Sequence, residues 1–280
     1  MADKGIIITA DDLGMYPEVN DAVMDGYDSG IISSTGLRVN GPASRSAMVS
    51  ASMRSGLGTG LHLVLCEGTS TLPRRHIPNL VDAGGRFVDR PLEAMWLYRR
   101  GGGLKKELRA EIRAQVEKFL SGGLVLSYVS SSYGLHLLPS VLSILRELSL
   151  EYPIWAMRKP CGPTWKYSRE FVVGDWERRA ENAAMRPALA WGRLRSGRFR
   201  GPDRVEILGR HRPVTEGGMV ELLASLKSGV TELVCHPGSL LPRYDGVGEA
   251  AALTSPMVRK ELAAREDIDL VSYRDISEEA

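Results

Sequence analysis

The chain has 280 residues, 43% of them hydrophobic and 25% charged, with a formal charge of +2. That composition fits one large α/β domain with a substantial core, and it excludes a disordered chain, a disulfide-stapled scaffold and a strongly basic nucleic-acid binder. The three cysteines, Cys66, Cys161 and Cys235, are scattered and form no CxxC, so no thiolate metal site is indicated. Met1 leads directly into the first strand, with no long apolar span, and the expectation is a soluble cytoplasmic protein.

The first element is Gly5 to Gly14, in which Ile6, Ile7 and Ile8 precede Asp11 and Asp12. A short β-branched run predicts a strand buried on both faces, as in a parallel sheet wrapped by helices. Chemistry in such folds collects at the carboxyl ends of strands. Period-two alternation would send the two carboxylates to opposite faces, but Gly14 signals an early turn that lets both face one site. The alternative is a helix cap beside a solvated Asp.

Helical spacing follows through Val19, Ala22, Val23 and Tyr27, closing at Gly30. Ile31 to Asn40 reads as a second strand and Pro42 to Arg54 as a second helix. In the third strand, Gly60 to Leu65, the leucines take one face, while Gly60, His62 and Val64 take the other. His62 is then either a structural core histidine or a ligand, with Gly60 leaving room beside it. Residues 66–103 read as a long lid or binding loop, in which Phe87, Trp96 and Tyr98 either stack on a ring or anchor the loop.

Leu104 to Leu120 is the clearest helix, ended by Gly122 and Gly123. Leu124 to Val129 reads as a fourth strand, leading to His136 and a helix from Pro139. Tyr152 to Met157 reads as a fifth strand, closed by Arg158. A helix is expected from about Trp176 to Leu194. Arg193, Arg195, Arg198 and Arg200 beyond it form either a solvated face or an anion site. Strand Arg204–Leu208, helix Glu216–Lys227, the strand stretch Thr231–Gly238, helix Pro256–Arg265 and strand Leu270–Tyr273 complete the chain. In the Thr231 strand, Glu232, Val234 and His236 share one face, with His236 at the carboxyl end before a Pro-Gly turn.

Asp11, Asp12, His62, His136 and His236 therefore all stand at strand ends. Carboxylate and imidazole together suit a divalent ion such as Zn, Mg or Mn, and a spare carboxylate and imidazole suit general base and acid. These are the parts of a metal-assisted hydrolase.

The chain resembles the YdjC-like (ChbG/HpnK) carbohydrate deacetylases. The matching stretches are Thr9-Ala-Asp-Asp-Leu-Gly14, Arg38-Val-Asn40, Gly60-Leu-His-Leu63, Glu111 to Leu120, Leu135-His-Leu-Leu-Pro139, Glu232-Leu-Val-Cys-His-Pro-Gly238 and Met257 to Leu262. The resemblance implies a single domain over residues 1–280, with a (β/α) barrel-like α/β fold, distorted or incomplete, of seven or eight mostly parallel strands. It implies removal of an acetyl group from an N-acetylated sugar, with a divalent metal. By position Asp11 resembles the catalytic base, Asp12 and His62 the metal ligands, and His236 the general acid or oxyanion partner. Arg158, Tyr133 and Asn40 are candidate substrate contacts.

The chain departs from the family after the fourth strand, where alternating histidines are usual. Here the stretch is Ser131-Ser-Tyr-Gly-Leu-His-Leu137, and Ser132 stands where a ligand histidine is expected. His136 is a weak substitute, so the metal is expected to be weak or absent. Tyr133 then fills the space or donates to substrate. Two other functions stay open. One is a metal-independent lyase, isomerase or cyclase using Asp11 and His236, and the other is a non-catalytic sugar binder. The expected partner is a small sugar derivative, with no nucleic acid and no membrane, and a homodimer is compatible.

Overall fold

The three isoleucines lie at the centre of a parallel sheet. In the computed structural model, which describes residues 3–159, 176–208, 214–241 and 244–278, strand β1 spans Lys4–Leu13. Ile6 and Ile8 pack outward against the helices, while Ile7 packs inward with Tyr128, Ala156 and Tyr273. All three isoleucines are fully buried, worth about 1.5–3 kcal/mol each. Two occupied faces explain the unbroken β-branched run.

The other strands are β2 Ser34–Leu37, β3 Gly58–Leu63, β4 Val129–Ser131, β5 Arg204–Ile207, β6 Gly229–Cys235 and β7 Ile268–Leu270. The order is β4-β3-β2-β1-β6-β5, with β7 also paired to β1. Every pairing is parallel. Parallel neighbours require crossovers, supplied mainly by helices Pro17–Asp28, Ser44–Ser52, Gly103–Ser121, Pro139–Leu148, Trp176–Arg195, Glu216–Ser225, Gly246–Thr254 and Pro256–Ala263.

The sheet curls rather than running flat. Beyond β4, Val129 bridges Met157, and Ala156 bridges Arg200. Four residues later the chain enters β5, which pairs with β6 at the far edge. The result is a distorted barrel-like α/β fold. The expected fifth strand, Tyr152–Met157, is reduced to these bridges. Pro153 cannot donate to a ladder, and Ile154 N–H turns back to Tyr152 O at 2.8 Å.

Residues 66–103 are more ordered than a bare loop. They contain a single 3₁₀ turn, Arg74–His76, and a helix, Pro91–Tyr98. Phe87 and Tyr98 are buried anchors, and the Tyr98 hydroxyl donates to Leu65 O. Trp96 is 56% exposed. Glu111, which the helical stripe leaves to solvent, is fully buried and accepts from Thr71 N (2.8 Å) and Leu72 N (2.9 Å). Gln115, one turn on, clasps both the N–H and the carbonyl of Val64. Cys161 lies outside the described residues. Among the described residues, no helix is long and apolar enough to cross a membrane.

Candidate active site

Inward alternation along β1 carries Ile7, Thr9 and then Asp11 toward the barrel interior. The β1–β2 register slips between Ala10 and Leu13, and Asp12 sits in the left-handed region at φ 66°. That conformation is uncommon for a non-glycine residue, and it turns the second carboxylate toward the first. Gly14 at φ 90° completes the turn, and its N–H donates to Asn20 Oδ1 at 2.7 Å.

Asp11 is gripped by Arg158. The guanidinium donates through Nη1 to Oδ2 at 2.6 Å and through Nη2 to Oδ1 at 2.9 Å. The same group reaches Glu232 through Nε at 3.0 Å and Nη2 at 2.8 Å. Glu232 also accepts from the Tyr273 hydroxyl at 2.7 Å. Below the fork, Tyr273 and Tyr128 stack with ring centroids 3.7 Å apart. Arg158 is 1% exposed, with its guanidinium committed to Asp11 and Glu232, so it is an internal support of Asp11. Burial alone would raise the Asp11 carboxyl. The Arg158 guanidinium, with His62 beside the carboxylate, outweighs burial and holds it far below the usual carboxylate range. Asp11 is thus a fixed anion and a poor proton acceptor.

Asp12 receives Arg38 Nη1 at 3.1 Å, while Arg38 Nη2 donates to Glu67 O at 3.1 Å. Burial again works against ionisation, and Arg38, His62 and His236 together prevail, lowering the Asp12 carboxyl. His236 follows β6, stacks on Tyr244 at 3.6 Å between centroids, and donates its backbone N–H to Glu249 Oε2.

His62 reaches the same place from β3. Its Nδ1 lies 3.2 Å from Ser130 Oγ and 3.6 Å from Asp11 Oδ1, and its Nε2 lies 3.1 Å from Ser132 Oγ. The room beside this cluster comes from Gly36, where an added Cβ would stand 2.8 Å from Asp11 Oδ1 and 3.4 Å from His62 Cβ. Gly60 does not provide it, since its space is filled by the Tyr128 ring, 2.2 Å from a built Cβ.

Asp11, Asp12 and His62 therefore meet, and His236 sits close enough to act on Asp12. The other candidates do not join them. His136 is fully buried: its Nε2 donates to Arg158 O at 2.8 Å, and its Nδ1 faces the Ser131 hydroxyl at 2.8 Å. With both ring nitrogens committed it has no lone pair for a metal, and it instead fixes the backbone that carries Arg158. Tyr133 donates to Glu67 Oε1 at 2.7 Å. Asn40 donates to Thr69 O, tying down the loop. Arg38 and Glu232 went unassigned in the sequence. Alternation placed Glu232 on the face of His236, and Arg38 closes a strand end; those were the available signals.

The donor set does not make the metal centre that the resemblance implies. Asp12 is occupied by Arg38, His62 is flanked by serines on both nitrogens, and Ser132 Oγ takes the third position. Among the described residues no group of three His, Cys, Asp or Glu side chains is placed to hold an ion. Grooves of about 470 Å³ (Met95, Leu138, Trp191) and about 520 Å³ (Phe87, Trp96) border the loop, away from these side chains. The buried charges instead converge at the strand ends.

Comparison with known proteins identifies the family of the chain. The profile of the YdjC-like protein family matches residues 5–264. A carbohydrate deacetylase of Geobacillus stearothermophilus is 28% identical, covering 96% of both chains. A human carbohydrate deacetylase is 26% identical, over 97% of this chain and 90% of its own. A crystal structure from Enterococcus faecalis V583, of a protein with a proposed role in cellobiose-phosphate cleavage, superposes with a TM-score of 0.69. It is 22% identical, with coverage of 97% and 98% of the two chains.

Proposed function

The chain belongs to the YdjC-like family, and from that premise we propose that it is a carbohydrate deacetylase, a hydrolase that cleaves the C–N bond of an N-acetylated sugar. The observation that carries the reading is the meeting of Asp11, Asp12 and His62, with His236 beside them, at strand ends of a chain matched along nearly its whole length. Two roles follow from the electrostatics. Asp11 and Asp12, pinned by Arg158 and Arg38, are standing negative charges. The imidazoles of His62 and His236 are left to move protons and to donate to the acyl oxygen. Asp11 acts through His62 in place of the base role implied by the resemblance. The divalent ion of the resemblance has no adequate donor set among the described residues. The substrate is a sugar derivative carrying an acetamido group.

Acetate and free amine released from N-acetylglucosamine and its oligomers test the reading. Equimolar release by the parent protein, reduced about 10²–10⁴-fold in His62→Ala, is the expected result. Sugar consumed without acetate, as in a lyase or isomerase, would overturn it, as would binding without turnover.

A further inference from the structure

We propose that Ser132 is the nucleophile of this site, activated by His62 and oriented by Asp11, so that acyl transfer runs through an acetyl-serine. This deepens the deacetylase reading and rests on it. Ser132 stands immediately after β4, at the carboxyl end of its strand and partly exposed, while His62 beneath it is 2% exposed. Its Oγ lies 3.1 Å from His62 Nε2, within the reach that a nucleophile and its base require. The other ring nitrogen lies 3.6 Å from Asp11 Oδ1, an ion-pair distance, and 3.2 Å from Ser130 Oγ.

An anion beside Nδ1 favours the tautomer with its proton there, which leaves Nε2 free to accept from the Ser132 hydroxyl. Arg158 keeps Asp11 in place through two hydrogen bonds, so the third group is itself fixed. Serine, imidazole and carboxylate thus lie in series, each from a different strand end, in the arrangement that defines nucleophilic acyl transfer by geometry and not by sequence order. Tyr133 (φ 57°) and Gly134 (φ 68°) are both left-handed, which folds the chain back directly after Ser132. A non-glycine residue in that region is strained, and such strain gathers at functional sites. Ser132 is therefore placed as a reacting group.

The steps balance with water as the only co-reactant. Ser132 Oγ adds to the acyl carbon as its proton passes to His62 Nε2. The tetrahedral adduct collapses by breaking the C–N bond, and the sugar amine leaves with the proton from His62. Water then attacks the acetyl-serine, giving a proton to His62. Acetic acid departs as Ser132 Oγ recovers that proton.

The test uses the full chain with p-nitrophenyl acetate as a probe that needs no sugar recognition. Acid quenching followed by peptide mass spectrometry should locate one acetyl group on Ser132, with a burst of p-nitrophenolate matching the enzyme concentration. Ser132→Ala should lose burst and adduct and lower acetate release from N-acetylated sugar on the order of 10³-fold or more. Ser132→Cys should still trap an acetyl group, as a thioester, which separates loss of the nucleophile from loss of the fold. Sugar deacetylation at the parent rate in Ser132→Ala, with no adduct in the parent, would overturn the proposal while leaving the deacetylase reading intact. Acetyl-Ser132 formed from the probe, with every acetylated sugar untouched, would support the nucleophile and overturn the sugar as substrate.

Discussion

Replacing His136 with glutamine should remove a definite part of the protein's acid sensitivity. The imidazole is fully buried between Ser131 and the carbonyl of Arg158. Burial is the main cause that pushes it down from its ordinary 6.5 to about 4, and the Arg158 charge adds to that. A base with a depressed folded pKa contributes stability that is complete above the unfolded value and lost as pH falls through the folded one. The window is therefore pH 6.5 to about 4. Within it, moving from pH 7 to pH 5 costs about 2 kcal/mol, from one unit of pKa shift being worth about 1.4 kcal/mol. Glutamine keeps a donor for Arg158 O but does not titrate. Urea midpoints at pH 7 and pH 5, multiplied by the m-value, give the loss for each protein. The parent should lose about 2 kcal/mol more than His136→Gln over that interval. Equal losses would refute the assignment of His136 as a neutral internal support.

Arg158→Met leaves Asp11 and Glu232 buried without their shared cation and should cost about 3–5 kcal/mol in urea unfolding at neutral pH. Part of that loss should return on acidification, because burial then raises Asp11 with only His62 left to oppose it. Gly60→Ala drives a methyl group into the Tyr128 ring and should destabilise by about 1–3 kcal/mol by the same assay. Ser132→His restores an imidazole beside His62, and elemental analysis of the purified variant should show more bound divalent metal than the parent.

The architecture was legible in the sequence because β1 carries its own explanation: three isoleucines require two covered faces, and alternating strand and helix patterns require parallel pairing. Alternation likewise placed His62 and Glu232 on inner faces, and Gly14 marked the turn behind Asp12. Ion pairs between distant elements were not legible. Arg158 reads as a residue closing a weak strand, and only the curl of the sheet brings it 2.6 Å from Asp11, 147 positions away. Gly60 read as room for a ligand because the Tyr128 ring that fills it arrives from β4's approach, which no local pattern reports. His136 and Glu111 stood in the family motifs, but their burial partners are backbone groups, and backbone partners leave no trace in side-chain spacing.

Bound metal and turnover, measured together on the same preparation before and after exhaustive chelation, test most directly the claim that serine has taken the place of a metal ligand at this site. Substoichiometric metal throughout, with acetate release that survives chelation, is the expected result. Tightly bound stoichiometric metal, with activity lost on its removal and regained on its return, would contradict it.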